Sequence, residues 1–65
     1  MPIVQISVLQ GRPPALRAEL GRAVTRAVCE SLDVPPATVR VLITEIPAAN
    51  WFVGGESKQP PEAPK

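Results

Sequence analysis

From Ile3 to Leu9 the chain reads Ile-Val-Gln-Ile-Ser-Val-Leu, and Val4, Ile6 and Val8 alternate with Gln5 and Ser7, the period of a half-buried strand. Gly11 ends that pattern, and Pro14 suits the first turn of a helix, where its missing N–H costs nothing. Leu16, Leu20, Ala23, Val24, Ala27, Val28 and Leu32 then recur at three- and four-residue steps and predict one apolar helical stripe, with Arg17, Arg22, Arg26 and Glu30 lying largely away from it. Pro35-Pro36 stops the helix after Asp33. Val39 to Ile46 predicts a second strand with apolar residues on both faces, Val39, Val41 and Ile43 against Leu42 and Ile46, which one helix cannot cover. Trp51-Phe52-Val53, closed by Gly54-Gly55, predicts a short returning strand and so a small C-terminal hairpin. Ser57 to Lys65, with Pro60, Pro61 and Pro64, reads as an extended tail, which leaves residues 1–56 as the folded domain and 57–65 as its appendage.

Strand, helix and strand in that order form one βαβ unit of the α+β class, with parallel strands and a right-handed crossover. Two strands and one helix make a marginal core. A chain of 65 residues buries only about 60% of its unfolded surface, and the usual staples are missing. Cys29 is the only cysteine and there is no histidine, so neither an intrachain disulfide nor a structural zinc site is expected. Assembly with other chains is the remaining source of stability. Seven basic against six acidic residues and two aromatics, Trp51 and Phe52, give no footprint for nucleic acid. No segment reads as a signal peptide or membrane span, and the expected location is cytoplasmic.

The absence of histidine also removes Ser-His-Asp and Cys-His chemistry, and no glycine-rich phosphate loop opens the helix. Asp33, Glu45 and Glu56 are too scattered to form an acid/base pair, and Cys29 is a small packing residue at the edge of the stripe. Pro2 stands apart. Once Met1 is removed, its nitrogen becomes a secondary amine, a nucleophile and base on a rigid ring. An ordinary α-amino group titrates near ~7.7–8.0, and cations or an apolar pocket nearby lower that value and favour the free base. Arginines beside the amine would therefore keep it neutral and grip an anionic substrate. Proline is also simply tolerated at the first position of a strand.

Pro2-Ile3, Leu9-Gln10-Gly11-Arg12, Ser31-Leu32-Asp33, the run Val39 to Glu45 and Gly54-Gly55-Glu56 together resemble 4-oxalocrotonate tautomerase and its small-subunit relatives across residues 2–56. The resemblance implies a tautomerase-like fold assembled as a hexamer, a trimer of dimers, working without a cofactor. It implies Pro2 as catalytic base, Arg12 on the distal carboxylate of a dicarboxylate substrate such as 2-hydroxymuconate, and Arg40 at the 2-oxo and proximal carboxylate end. Trp51 falls where the family usually has phenylalanine lining the pocket, and Pro13-Pro14 replaces a polar helix cap, which implies a stiffer loop around Arg12.

The geometry supports a site of this kind shared between chains. Seven residues of strand span roughly 23 Å, so Arg12 and Pro2 lie at opposite ends of it and an antiparallel neighbour is needed to bring them together. Arg40 begins the parallel strand and can approach Pro2 within one chain, although the resemblance implies that it comes from another subunit. The bland reading of Arg12 is a solvent-facing loop residue, and of Arg40 an edge charge, yet a charge inside an apolar strand is costly without a partner. Arg17, Arg22 and Arg26 read as a solvated helix face, with Arg26 and Glu30 spaced for an i,i+4 pair. Two other functions compete with enol-to-ketone isomerisation. One is dehalogenation or hydration of a haloacrylate, for which no carboxylate maps onto the task of activating water; the other is a noncatalytic subunit of a hetero-oligomer.

Overall fold

The computed structural model describes residues 1–59. Strand β1 spans Ile3–Leu9, helix α1 Pro14–Leu32 and strand β2 Arg40–Ile46. A 3₁₀ turn, Pro36–Thr38, links α1 to β2, and a second, Ala48–Asn50, follows β2. The short strands β3, Phe52–Val53, and β4, Glu56–Ser57, end the described chain.

The β1–β2 pair is parallel, in a register that sets Ile3 opposite Arg40 and Leu9 opposite Ile46, and α1 packs chiefly against β2. Parity decides what the helix covers. Val4, Ile6 and Val8 with Val41, Ile43 and Glu45 are half-buried beneath it, whereas Ile3, Gln5, Ser7, Arg40, Leu42 and Thr44 stay exposed. Pro14 occupies the first turn of α1, and no side chain caps that end. At the other end Asp33 takes a left-handed conformation, φ 56°, its N–H bonding to the Cys29 carbonyl, a role that aspartate tolerates better than most residues.

The helix stripe is rotated from the one predicted. Arg17, Leu20, Gly21, Val24, Thr25, Val28 and Cys29 are half-buried, while Leu16, Ala23, Ala27 and Leu32 are exposed. The helix carries two adjoining apolar faces, and only one of them meets its own sheet. Arg17 accordingly lies under the helix rather than on a solvated face, and no ion pair joins Arg26 to Glu30; Arg22 pairs instead with Glu19, one turn earlier.

The hairpin forms as expected, with Phe52 opposite Ser57 and Val53 opposite Glu56. Gly54 and Gly55 have φ of 61° and 85°, the left-handed values of the two-residue turn that joins twisted strands. Trp51 is not in the strand; it closes the second 3₁₀ turn through an N–H bond to the Ala48 carbonyl. Lys58 N–H bonds to the Trp51 carbonyl at 2.8 Å and Gln59 N–H to the Ser57 hydroxyl at 3.1 Å, so hydrogen-bonded structure runs past the boundary expected at residue 56. The rest of the expected tail, residues 60–65, lies outside the described residues.

Among the described residues only Val39 is buried, at 9% exposure. Ile3, Leu16, Leu32, Leu42, Phe52 and Val53 are between 51% and 61% exposed. One chain therefore holds an incomplete core: a sheet with one bare face and a helix with a bare flank. Among the described residues no helix is long and apolar enough to cross a membrane.

Candidate active site

Pro2 is half-buried at the start of β1, and its carbonyl accepts a hydrogen bond from the Arg40 N–H at 3.0 Å, the first rung of the parallel ladder. The backbones of these two candidates thus meet at one end of the sheet. The Arg40 guanidinium bonds elsewhere. Arg40 shares the exposed face with Ile3 and Leu42, and its guanidinium donates to the Ala37 carbonyl at 2.8 Å and weakly to the Val39 carbonyl at 3.5 Å. With Met1 attached, the Pro2 nitrogen is an amide without a basic lone pair.

Arg12 follows the opposite end of β1. The ladder continues one residue beyond the strand, Gln10 N–H to the Ile46 carbonyl at 2.8 Å, and then Gly11 turns the chain at φ 127°, a conformation that L side chains resist. Arg12 is exposed, and its guanidinium donates to the Leu9 carbonyl at 3.1 Å. The seven residues of β1 hold it roughly 23 Å from Pro2, so one chain does not unite Pro2 with this arginine. Trp51, half-buried, lies beyond the C-terminal end of β2, the same end as Arg12. The described chain thus splits its candidates into Pro2 with Arg40, and Arg12 with Trp51.

Arg17 and Glu45 were not recognised as part of this region by sequence. Arg17 Nη1 donates to Glu45 Oε2 at 3.0 Å and to the Arg12 carbonyl at 3.2 Å, tying α1, β2 and the Arg12 loop at one point. The available signal was strand parity: Glu45 shares a face with Val41 and Ile43 and must meet the helix.

A cleft of about 290 Å³ beside this pair is bounded by Val8, Arg12, Leu16, Arg17 and Leu20, two guanidiniums over apolar walls. A wider groove of about 810 Å³ runs along α1 from Ala18 to Glu30 against Pro36 and Val41. Neither contains Pro2, Arg40 or Trp51. The wider groove is a helix flank bordered by Pro36 and Val41.

The family model described as tautomerase enzyme matches residues 2–60, and the chain is 47% identical over 57 residues to 2-hydroxymuconate tautomerase of Stutzerimonas stutzeri, covering 88% of this chain and 90% of that protein. The chain belongs to the tautomerase family. Its activity class follows: it is an isomerase, a keto-enol tautomerase. A 2-hydroxymuconate tautomerase of Pseudomonas putida is 45% identical over 56 residues, with 86% of this chain and 89% of that one covered. The fold superposes with TM-score 0.86 on a chain of the heterohexamer 4-oxalocrotonate tautomerase from Chloroflexus aurantiacus J-10-fl, at 43% identity over 89% of this chain and 94% of that one. Membership of this tautomerase family agrees with the observed βαβ unit and antiparallel C-terminal hairpin.

Proposed function

We propose that this tautomerase converts a small unsaturated 2-hydroxy dicarboxylate, such as 2-hydroxymuconate, to its 2-oxo form, with the amine of Pro2 as the base after Met1 is removed. The neutral ring nitrogen takes the proton of the enol hydroxyl and delivers a proton to a carbon of the conjugated chain, so the double bond shifts as the 2-oxygen becomes a carbonyl. Arg40 of a neighbouring subunit stabilises the negative charge developing on the 2-oxygen, Arg12 of another anchors the far carboxylate, and Trp51 excludes water. The observation that carries this reading is the split of the candidates: Pro2 and Arg12 sit at opposite ends of β1, on a chain with one buried residue among the described residues, which supports a site for a short dicarboxylate that is built when chains assemble. We place that assembly as a homohexamer in the cytoplasm. The heterohexameric relative favours a second reading, in which this chain supplies only part of the site to a mixed oligomer.

Intact-mass measurement tests the base first. The expected mass lacks Met1, and a preparation that retains it throughout overturns the mechanism. Pro2→Ala is expected to abolish enol-to-ketone conversion while leaving the assembly's size unchanged. Full activity in that variant removes proline from the reaction. An inactive wild-type homo-oligomer that gains turnover only with a second, related chain establishes the mixed assembly.

A further inference from the structure

The Arg12 loop has little to hold it. Residues 11–13 make no ladder, α1 has no capping side chain at its start, and among the described residues the Arg12 guanidinium bonds to the carbonyl of Leu9, three residues back. What fixes the loop from outside is Arg17. The two N–H bonds of Nη1 are divided between the Arg12 carbonyl and the Glu45 carboxylate. Both side chains of the ion pair are about 30% exposed, 32% for Arg17 and 28% for Glu45, unlike the Arg22–Glu19 pair at 65% and 69%. A carboxylate on the helix-facing side of a strand is costly unless matched, so Glu45 has a use beyond solvation.

We propose that Arg17 and Glu45 are positioning residues that set the place of Arg12 and thereby the enzyme's preference for a substrate with a second carboxylate. Glu45 holds Arg17 in position under the helix, and Arg17 holds the Arg12 backbone, so the Arg12 guanidinium swings from a fixed root. The inference rests on the assignment of Arg12 to the distal carboxylate and is tested together with it.

The experiment compares steady-state kinetics of 2-hydroxymuconate with those of 2-hydroxypenta-2,4-dienoate, which keeps the enol end and lacks the far carboxylate, for Arg12→Ala, Arg17→Gln, Glu45→Gln, Arg17→Lys and Arg12→Ala/Arg17→Gln. Arg17→Gln and Glu45→Gln are expected to raise KM for the dicarboxylate about five- to twentyfold with kcat little changed, below the ~10²-fold that a full 1 Å misplacement costs. The preference for dicarboxylate over monocarboxylate falls by the same factor, Arg17→Lys restores part of it, and in the Arg12→Ala background the Arg17 substitution adds nothing further. An Arg12→Ala enzyme with unchanged dicarboxylate KM overturns the assignment of Arg12 itself. If Arg12→Ala raises KM and the Arg17 and Glu45 variants do not, or if they weaken both substrates equally along with oligomer stability, the positioning role is overturned while that of Arg12 stands.

Discussion

The two ends of the β1–β2 pair are built by different means. At the Pro2 end the positioning is done by backbone: the Arg40 N–H bonds to the Pro2 carbonyl, and Val39, the one buried residue among those described, lies beside that rung. At the Arg12 end the ladder has run out, Gly11 takes φ 127°, two prolines follow, and a side-chain pair ties the loop to the sheet and helix. Regular pairing locks every atom of a rung at once, whereas a side-chain brace is a single point of attachment. The end that carries the proposed base is therefore the stiffer, and the end that carries the proposed carboxylate anchor is the one that substitution can tune.

The largest expected difference between the ends is kinetic in kind. Pro2→Ala removes the proposed base, a group whose contribution is typically ~10²- to 10⁴-fold, and the loss is expected to fall on kcat. Arg12→Ala removes charge-assisted hydrogen bonds, each about 1.5–3 kcal/mol, and is expected to lower kcat/KM by about 10- to 100-fold through KM. Stopped or steady-state assays of both variants on the dicarboxylate enol check this split. A loss through kcat for Arg12→Ala would show that both ends act on the chemical step.

The regular end was legible in the sequence and the braced end was not. Alternation of Val4, Ile6 and Val8, and Pro14 at a first-turn position, placed β1 and α1 because local period and local sterics dictate them. Pro2 stood out by its place directly after Met1, whereas Arg12, Arg40 and Trp51 were reached through a family resemblance. Strand length separates Pro2 from Arg12, and the parallel register sets Arg40 beside Pro2. Arg17 escaped because the helix has two apolar flanks, and nothing in one chain's sequence tells which flank faces its own sheet. Its partner lies 28 residues away, so only the βαβ register, which sets Glu45 opposite Val8, brings them together. Trp51 was misplaced by one structural element because a 3₁₀ turn after Pro47 carries no period that distinguishes it from the start of a strand.

A smaller effect tests the braced end through its backbone. No heavy atom within 4 Å would meet a Cβ at Gly11, so Gly11→Ala costs conformational strain alone, about 1–3 kcal/mol. The loop can relieve that strain by shifting Arg12, and the expected result is a lower urea midpoint together with a raised KM for the dicarboxylate. A lowered midpoint with KM unchanged would show that Arg12 finds its place without help from the loop.

The smallest effect belongs to the ion pair that serves neither end. Arg22 donates to Glu19 one turn back on the exposed side of α1, and that hydrogen bond, with the Arg22 charge next and Arg26 after it, holds the Glu19 carboxyl below its ordinary value. A carboxyl depressed in the folded state adds stability above its unfolded pKa and loses it as pH falls through the lowered folded value. Removing the partner with Arg22→Gln should therefore narrow the stability difference from the parent as the medium becomes more acidic than the ordinary glutamate range, with the parent's slight advantage confined to neutral pH. Because both side chains are well exposed, that advantage is small and shrinks further in salt. Denaturant midpoints at neutral and acid pH check the sign, and kinetics at neutral pH supply the contrast: KM for the dicarboxylate stays at the parent value in Arg22→Gln while it rises in Arg17→Gln. A KM shift in both would mean that charge removed anywhere on α1 is felt at the anchor, and the distinction between a brace and a surface pair would disappear.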